Sequence, residues 1–131
     1  MKVMIIDDNV VDLKLLSAVL EQEGEQISGL SSAENALDSV RADLPDLILL
    51  DLNLSGHDGL EFVRELRASP DTRHVPVVAI TAYPLRFHTR DVIAAGCAAC
   101  IIKPVNTRGL SSQLRSIAAR SIARGALGPA Q

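Results

Sequence analysis

The stretch LILL at residues 47–50 is apolar at four consecutive positions and ends abruptly in Asp51. A strand that is apolar at every position is buried on both faces, which is typical of a parallel sheet covered by helices on both sides. In open parallel sheets, ligand sites lie at the carboxyl ends of the strands. The stretch therefore predicts an α/β fold, and it places Asp51 at the edge of the sheet where a ligand would bind.

Three other apolar runs end in polar residues in the same way: residues 3–6 before Asp7 and Asp8, residues 75–80 before Thr81, and residues 98–102 before Lys103. The carboxyl ends of parallel strands meet at one edge of a sheet. We therefore expect three carboxylates, a hydroxyl and an ammonium group to converge at this edge. This convergence is the main functional signal in the sequence.

The remaining segments predict how the sheet is wound. A weaker strand is expected at residues 26–30, and helical periodicity is present in the segments between the strands. Short connections and right-handed crossovers favour one doubly wound domain with five parallel strands in the order 2-1-3-4-5. We expect this domain to span residues 1–120, with residues 121–131 forming a frayed tail.

Capping side chains predict where the helices begin. Capping-box spacing is present in three pairs: Asn9 with Asp12, Ser31 with Glu34, and Asp58 with Glu61. Pro84 suits the first turn of the fourth helix, and Asn106 or Thr107 is expected to cap the fifth.

Charge and hydropathy limit the classes of function. A net charge of −3 disfavours nucleic acid as the main partner. No apolar stretch approaches the length of a membrane span, about 20 residues, and the N-terminal apolar run is too short for a signal peptide. We therefore expect a cytoplasmic protein that binds neither nucleic acid nor membrane. Four arginines and no acidic residue follow Pro104, which indicates a solvated or protein-binding face on the last helix.

Cys97 and Cys100 form a Cys-x-x-Cys pair, which suggests redox or metal chemistry in some proteins. Here the pair follows Gly96 and leads into a strand, whereas a redox pair opens a helix that lowers the thiol pKa. A zinc site needs four ligands, and the sequence has no second pair. We interpret both cysteines as small buried residues, and we predict no histidine to be a ligand.

The carboxylates at the predicted edge suit Mg²⁺, which binds oxygen ligands and retains several waters. Asp8 and Asp51 can each supply one oxygen, Asp7 can act through a water, and the backbone carbonyl of Asn53 can supply a further ligand. Without a cation, three clustered carboxylates would repel one another and at least one would bind a proton. A role for Asp7 and Asp8 as helix caps alone is the other interpretation.

Asp51 is also the best-placed nucleophile, because a carboxylate can attack phosphorus to give an aspartyl-phosphate. The transferred group spreads negative charge over three oxygens, which Mg²⁺, Lys103 and the Thr81 hydroxyl can stabilise. A cis bond to Pro104 would fix the direction of the lysine. The sequence contains no nucleotide-binding loop. The phosphoryl group is therefore expected to come from another protein or from a small donor.

The motifs that carry a family resemblance are Asp7 with Asp8, Asp51, Gly59, Thr81 with Ala82, and Lys103 with Pro104. At these spacings the chain resembles the receiver domain of two-component response regulators over about residues 2–120. The resemblance implies a flavodoxin-like fold and phosphorylation of Asp51 by a histidine kinase or a histidine phosphotransfer protein. It also implies Mg²⁺ bound by Asp8, Asp51 and the Asn53 carbonyl, with Thr81 and Lys103 contacting the phosphate. A stand-alone regulator of this kind would signal through its helix 4–strand 5–helix 5 face to a downstream protein.

One position departs from the family pattern. Receivers usually carry a switch Tyr or Phe three residues before the lysine, and here that residue is Cys100. A thiol cannot make the same packing change when the Thr81 hydroxyl is drawn to the phosphate. Tyr83 is a candidate for part of that role and for shielding the phosphoryl group from water. The alternative interpretation is a tyrosine in a surface loop.

Three other functions are alternatives to a phosphorylated signalling protein. A phosphatase of the haloacid dehalogenase type would place a second Asp two residues after the nucleophile, where this chain has Asn53. A flavin carrier would need a hydroxyl- and glycine-rich phosphate loop after the first strand. A degenerate receiver could act as a constitutive binding module. We expect a signalling protein and not an enzyme that turns over substrate.

Overall fold

A computed structural model describes residues 1–54 and 57–126. One sheet contains five parallel strands: β1 (Lys2–Ile6), β2 (Gln26–Leu30), β3 (Leu47–Asp51), β4 (Val77–Thr81) and β5 (Ala99–Ile102). Their hydrogen-bonded order is β2-β1-β3-β4-β5. After β3, a small antiparallel hairpin pairs Asn53–Leu54 with His57–Asp58. The predicted α/β fold with strand order 2-1-3-4-5 is confirmed.

Helices cover both faces of the sheet: α1 (Val10–Gln22), α2 (Ala36–Ala42), α3 (Gly59–Ala68), α4 (Thr89–Ala94) and α5 (Leu110–Ala126). Every residue of β3 is buried. Ile48 and Leu50 belong to the apolar cluster that also contains residues of α2, α3 and α4. Leu47 and Leu49 belong to a second cluster with residues of α1 and α5. Since side chains alternate along a strand, a central strand between two helical layers must be apolar throughout.

The structure confirms two of the three predicted helix caps and contradicts the third. Asn9 caps α1 as predicted, because its side chain accepts a hydrogen bond from the Asp12 N–H at 3.1 Å. Asp58 caps α3 by accepting from the Leu60 N–H at 2.8 Å. The prediction that Ser31 and Glu34 cap α2 is wrong. Asn35 lies in the left-handed region, with φ of 60°, so the helix begins only after it.

The predicted start of α4 is also wrong. Pro84 lies in a turn that precedes the helix, in which the Arg86 and Phe87 N–H groups both donate to the Tyr83 carbonyl. His88 then adopts an extended backbone, and α4 begins at Thr89. Phe87, the last residue of this turn to donate to Tyr83, is buried in the apolar cluster that also contains Val92 of α4.

The last helix begins later than predicted. The Asn106 side chain accepts a hydrogen bond from the Arg108 N–H, and α5 starts at Leu110, so neither predicted residue directly precedes the helix. The helix continues to Ala126, and the boundary between the domain and a frayed tail at residues 120 and 121 stays a prediction. Residues 127–131 of the predicted tail lie outside the described residues.

Both cysteines are free, with Cys97 buried and Cys100 partly buried. Burial raises the pKa of the Cys97 thiol to about 12 and also raises the pKa of Cys100. A thiol with a raised pKa is a poor nucleophile and a poor metal ligand. Their interpretation as small core residues agrees with this environment. None of the helices in the described parts of the chain is long and apolar enough to cross a membrane.

Candidate functional site

The polar residues at the strand ends surround one cavity at the carboxyl edge of the sheet. Its volume is about 290 Å³, and it is lined by Asp8, Asn9, Asp12, Asp51, Asn53, Ala82, Tyr83 and Lys103. β1 and β4 flank β3 in the sheet, so the loops after these strands meet around Asp51. The sequence prediction that strand ends converge at one site is thus fulfilled by the sheet order.

Three carboxylates lie at the base of the site. One oxygen from each of Asp7, Asp8 and Asp51 lies within 4.8 Å of the others. Asp7 and Asp51 are buried. The Asp7 Oδ1 atom accepts a hydrogen bond from the Asn9 N–H at 2.9 Å, whereas its buried Oδ2 atom has no hydrogen-bond partner among the described residues.

This arrangement destabilises the charged form of Asp7. Burial and the adjacent Asp51 carboxyl raise the pKa of Asp7 to about 6, although the Asn9 N–H and Lys103 act in the opposite direction. A buried carboxylate oxygen without a partner costs free energy unless a ligand compensates it. Three oxygens at this spacing fit a divalent cation with oxygen ligands, such as Mg²⁺.

The ammonium group of Lys103 lies close to three carboxylates of the site. Its Nζ atom lies 3.0 Å from Asp12 Oδ2, 3.2 Å from Asp51 Oδ2 and 3.7 Å from Asp7 Oδ2. Burial alone would lower the pKa of Lys103, but these carboxylates raise it above its ordinary value. The ammonium group is therefore held in its charged form beside Asp51. The bond between Lys103 and Pro104 is cis, as predicted.

Asp51 has both oxygens engaged. Oδ1 accepts a hydrogen bond from the Asn53 N–H at 2.9 Å, and Oδ2 accepts from Lys103. Gly59 keeps the loop after Asp51 close to α3, and its N–H donates to the Leu52 carbonyl at 3.1 Å. A Cβ atom at position 59 would lie 2.8 Å from the Leu52 Cα atom. Any side chain there would push α3 away from the loop that carries the acceptor candidate.

Thr81 is completely buried at the end of β4, and its backbone carbonyl accepts a hydrogen bond from the Lys103 N–H at 2.8 Å. Its hydroxyl accepts from the Tyr83 N–H at 2.9 Å. Ala82 and Tyr83 line the cavity directly, and the Tyr83 residue is 53% exposed. Cys100 lies behind them on β5, partly buried against the core cluster next to α4.

Two residues at the site were not identified from the sequence. Asp12 was predicted only as part of a capping box, yet its carboxylate contacts Lys103 and lines the cavity. Arg86 donates from Nη1 to Asn53 Oδ1 at 3.2 Å, and its guanidinium lies 5.0 Å from the centre of the Phe87 ring. The short spacing between Asp8 and Asp12 was a usable signal for the first residue. The sequence has no comparable signal for Arg86.

The sequence of the chain is similar to those of known signalling proteins. The profile of the family described as response regulator receiver domain matches residues 3–115. The chain is 34% identical over 114 residues to the polar-differentiation response regulator DivK of Brucella ovis, an alignment that covers 87% of this chain and 93% of that relative. DivK of Brucella anthropi is 33% identical over the same length, with the same coverage.

Solved structures show the same fold. A CheY-like receiver domain from Methanospirillum hungatei superposes with a TM-score of 0.84 at 23% identity, covering 94% of this chain and 97% of that chain. A two-component response regulator from Clostridium difficile superposes with a TM-score of 0.82 at 26% identity, covering 92% and 97%. The first of these likenesses supports the flavodoxin-like fold alone.

Proposed function

The chain belongs to the response regulator receiver domain family, and on that premise we propose that Asp51 accepts a phosphoryl group in a two-component phosphorelay. Receiver domains act in signalling with histidine kinases or phosphotransfer proteins and with downstream targets. The observation that carries the proposal is the contact of 3.2 Å between Lys103 Nζ and Asp51 Oδ2 beside the carboxylates of Asp7 and Asp8. This arrangement combines a nucleophile, a fixed cation and a set of metal ligands in one cavity.

We assign the metal site to Asp8, Asp51 and the backbone carbonyl of Asn53, with Asp7 acting through a water. Receiver domains bind Mg²⁺ at an acidic pocket, and the carboxylate cluster agrees with such a pocket. When bound, Mg²⁺ would supply positive charge next to the oxygens of the transferred group. The Asp7 Oδ2 atom has no hydrogen-bond partner among the described residues, and this supports the assignment, because a metal-bound water would give it a donor.

In the transfer step, a carboxylate oxygen of Asp51 forms a bond to phosphorus while the phosphorus–nitrogen bond of phosphohistidine breaks. The bonding pair remains on the departing imidazole nitrogen. Lys103 offsets negative charge on one phosphoryl oxygen, since its ammonium group already lies beside the acceptor. The Thr81 hydroxyl accepts from Tyr83 and so retains its own proton for donation to another phosphoryl oxygen.

The phosphodonor must reach Asp51 through the mouth of the cavity, beside the N-terminal half of α1. Val11 and Leu15 are 74% and 54% exposed on this helix. A neighbouring groove of about 440 Å³, with a mainly apolar lining, continues from Leu15 to Pro104 and Val105. A continuous exposed apolar surface, such as this groove with the adjacent Val11 and Leu15, is typical of a protein docking surface. We therefore place the histidine kinase or phosphotransfer protein on this surface.

The downstream target is proposed to bind the face formed by α4, β5 and α5. Ile93 on α4 and Ile102 on β5 are 44% and 49% exposed, which supports a protein contact there. Cys100 lies on β5, at the position where receivers usually carry an aromatic switch residue. We infer that the signal from Thr81 to this face depends on the loop that contains Tyr83 more than on residue 100.

We propose that the protein does not turn over substrate as an enzyme. Asn53 occupies the position where a phosphatase of the haloacid dehalogenase type would carry its general acid, and an amide cannot donate and recover a proton. Its side-chain oxygen instead accepts from Arg86. The phosphorylated form would then persist as a signal, in the cytoplasm where phosphohistidine proteins of this class act. Steady hydrolysis of p-nitrophenyl phosphate by the wild-type protein would contradict this.

The test is phosphorylation by acetyl phosphate, followed by intact mass, with Mg²⁺ or with EDTA. Wild type and the control Asp38→Asn, which removes an exposed carboxylate on α2, should each gain one phosphoryl group only with Mg²⁺. Asp51→Asn should gain none under either condition. A phosphoryl group gained by Asp51→Asn would contradict the assignment of the acceptor. Phosphorylation of wild type that is independent of Mg²⁺ would contradict the assignment of the metal.

A further inference from the structure

Asp12 adds a carboxylate to the site that the proposed reaction does not use. Its Oδ2 atom lies 3.0 Å from Lys103 Nζ, a shorter contact than the 3.2 Å between the same nitrogen and Asp51. The Asp12 side chain is 36% exposed, whereas that of Asp51 is 5% exposed. Asp12 thus lies at the mouth of the cavity and Asp51 at its base.

Helix capping does not account for the position of this carboxylate. In a capping box, the third helical side chain would accept from the N–H of the cap residue. Here the Asn9 N–H donates to Asp7 Oδ1 instead, so the Asp12 carboxylate makes no return bond to the cap. It contacts Lys103, which lies 91 residues further along the chain.

The consequence is an additional negative charge next to the path of the phosphodonor. Because Asp12 and Asp51 both contact the same nitrogen, their Oδ2 atoms lie no more than about 6 Å apart. A small phosphodonor that enters this cavity must bring its own negative charge close to Asp12. The energetic cost of that approach grows with the net charge of the donor.

We propose that Asp12 is a specificity-determining residue that disfavours small dianionic phosphodonors. The inference rests on the proposed function. Acetyl phosphate is a dianion near neutral pH, whereas phosphoramidate carries a protonated nitrogen and less net negative charge. Phosphohistidine, like phosphoramidate, carries its phosphoryl group on nitrogen. A protein that carries phosphohistidine also gains binding energy from the surface around Leu15. Asp12 would therefore reduce phosphorylation by free acyl phosphates relative to phosphorylation by a docked protein.

The experiment compares acetyl phosphate with phosphoramidate as donors under saturating Mg²⁺. Initial rates of phosphorylation are measured by intact mass for wild type, Asp12→Asn, Asp12→Glu and the charge-matched control Asp38→Asn. In Asp12→Asn, the rate with acetyl phosphate divided by the rate with phosphoramidate should rise about threefold, the factor for one unit charge at about 6 Å in water. Asp12→Glu and Asp38→Asn should keep the wild-type ratio, and added salt should reduce the effect.

A purely structural role for Asp12 in holding Lys103 would change both rates by the same factor and leave the ratio unchanged. That result, or a lower ratio, would overturn the specificity role while the proposed function stands, because the wild-type protein is still phosphorylated. If neither donor phosphorylates the wild-type protein, the proposed function fails and the role of Asp12 fails with it. A higher ratio in Asp38→Asn would also overturn it, since a remote charge would then have the same effect.

Discussion

Two buried carboxylates at opposite ends of the sheet have opposite environments. Glu25 directly precedes β2 at the amino end of the sheet, and Asp7 directly follows β1 at the carboxyl end. Glu25 accepts hydrogen bonds from Ser111 at 2.6 Å, from two nitrogens of Arg115, and from the Met1 ammonium group at 3.0 Å. Asp7 accepts one, from the Asn9 N–H.

Their pKa values follow from these partners. Burial alone would raise the pKa of Glu25, but the Arg115 guanidinium and the Ser111 hydroxyl hold it at about 2. Burial raises the pKa of Asp7 to about 6 because no equivalent set of donors compensates it. The charge at the amino end is satisfied within the protein and stabilises the fold. The charge at the carboxyl end has fewer and longer contacts, with the Asn9 N–H and Lys103, and a carboxyl with a raised pKa in a cleft is typical of a functional site.

The first way to test this comparison is to neutralise each carboxylate. Glu25→Gln should lower the free energy of unfolding by about 3 kcal/mol, at the low end for a broken buried ion pair because Arg115 is half exposed. Asp7→Asn should raise it by about 1 kcal/mol in EDTA, because a buried charge that Lys103 approaches only to 3.7 Å is removed. Urea unfolding at neutral pH measures both, with Asp38→Asn as the control. A loss of stability in both variants would contradict the comparison.

The second test uses pH. The pKa of Glu25 is lowered from its ordinary value of 4.5 to about 2. A carboxyl with a lowered folded-state pKa contributes stability above its unfolded-state value and loses it as pH falls toward the folded-state value. The difference in unfolding free energy between wild type and Glu25→Gln should therefore shrink by about 3 kcal/mol, nearly its whole value, between pH 4.5 and 2. A constant difference across this range would mean that Glu25 acts by packing and not by charge.

The third test adds Mg²⁺, the cation that we propose for the carboxyl end. Mg²⁺ at tenfold above its dissociation constant should raise the unfolding free energy of wild type by about 1.4 kcal/mol. Glu25→Gln should show the same increment, because its site at the carboxyl end is intact. In Asp7→Asn the increment should be smaller. An equal increment in Asp7→Asn would remove Asp7 from the metal site, and an increment lost in Glu25→Gln would show that the two ends are coupled.

The sequence predicted the elements that depend on local pattern. β3 was recognisable because a doubly covered strand must be apolar at every position, and Asp51 was placed correctly by the end of that run. The starts of α2 and α4 were missed because they depend on two backbone conformations, the left-handed Asn35 and the extended His88. Neither property is determined by capping residues alone.

Two ion pairs were not predicted, and each joins distant parts of the chain. Asp12 contacts Lys103 across 91 residues, and Glu25 contacts Arg115 across 90. Sequence spacing predicts which residues share a strand end, but it does not determine which side chains point toward one another. Asp12 in the first turn of α1 therefore suggested a cap, although its carboxylate belongs to the site.

The smallest expected effect concerns the exposure of the carboxyl end to water. Glu25 is sealed by α5, whereas the cavity above Asp51 is open and partly covered by Tyr83. Tyr83→Ala should shorten the lifetime of phosphorylated Asp51 about twofold, because water gains access to the acyl phosphate. The decay of the phosphorylated mass after removal of acetyl phosphate measures this. Leu85→Ala is the matched control, since Leu85 is 88% exposed in the same loop but does not line the cavity. An unchanged lifetime in Tyr83→Ala, or an equal change in Leu85→Ala, would show that Tyr83 is only a surface residue of this loop.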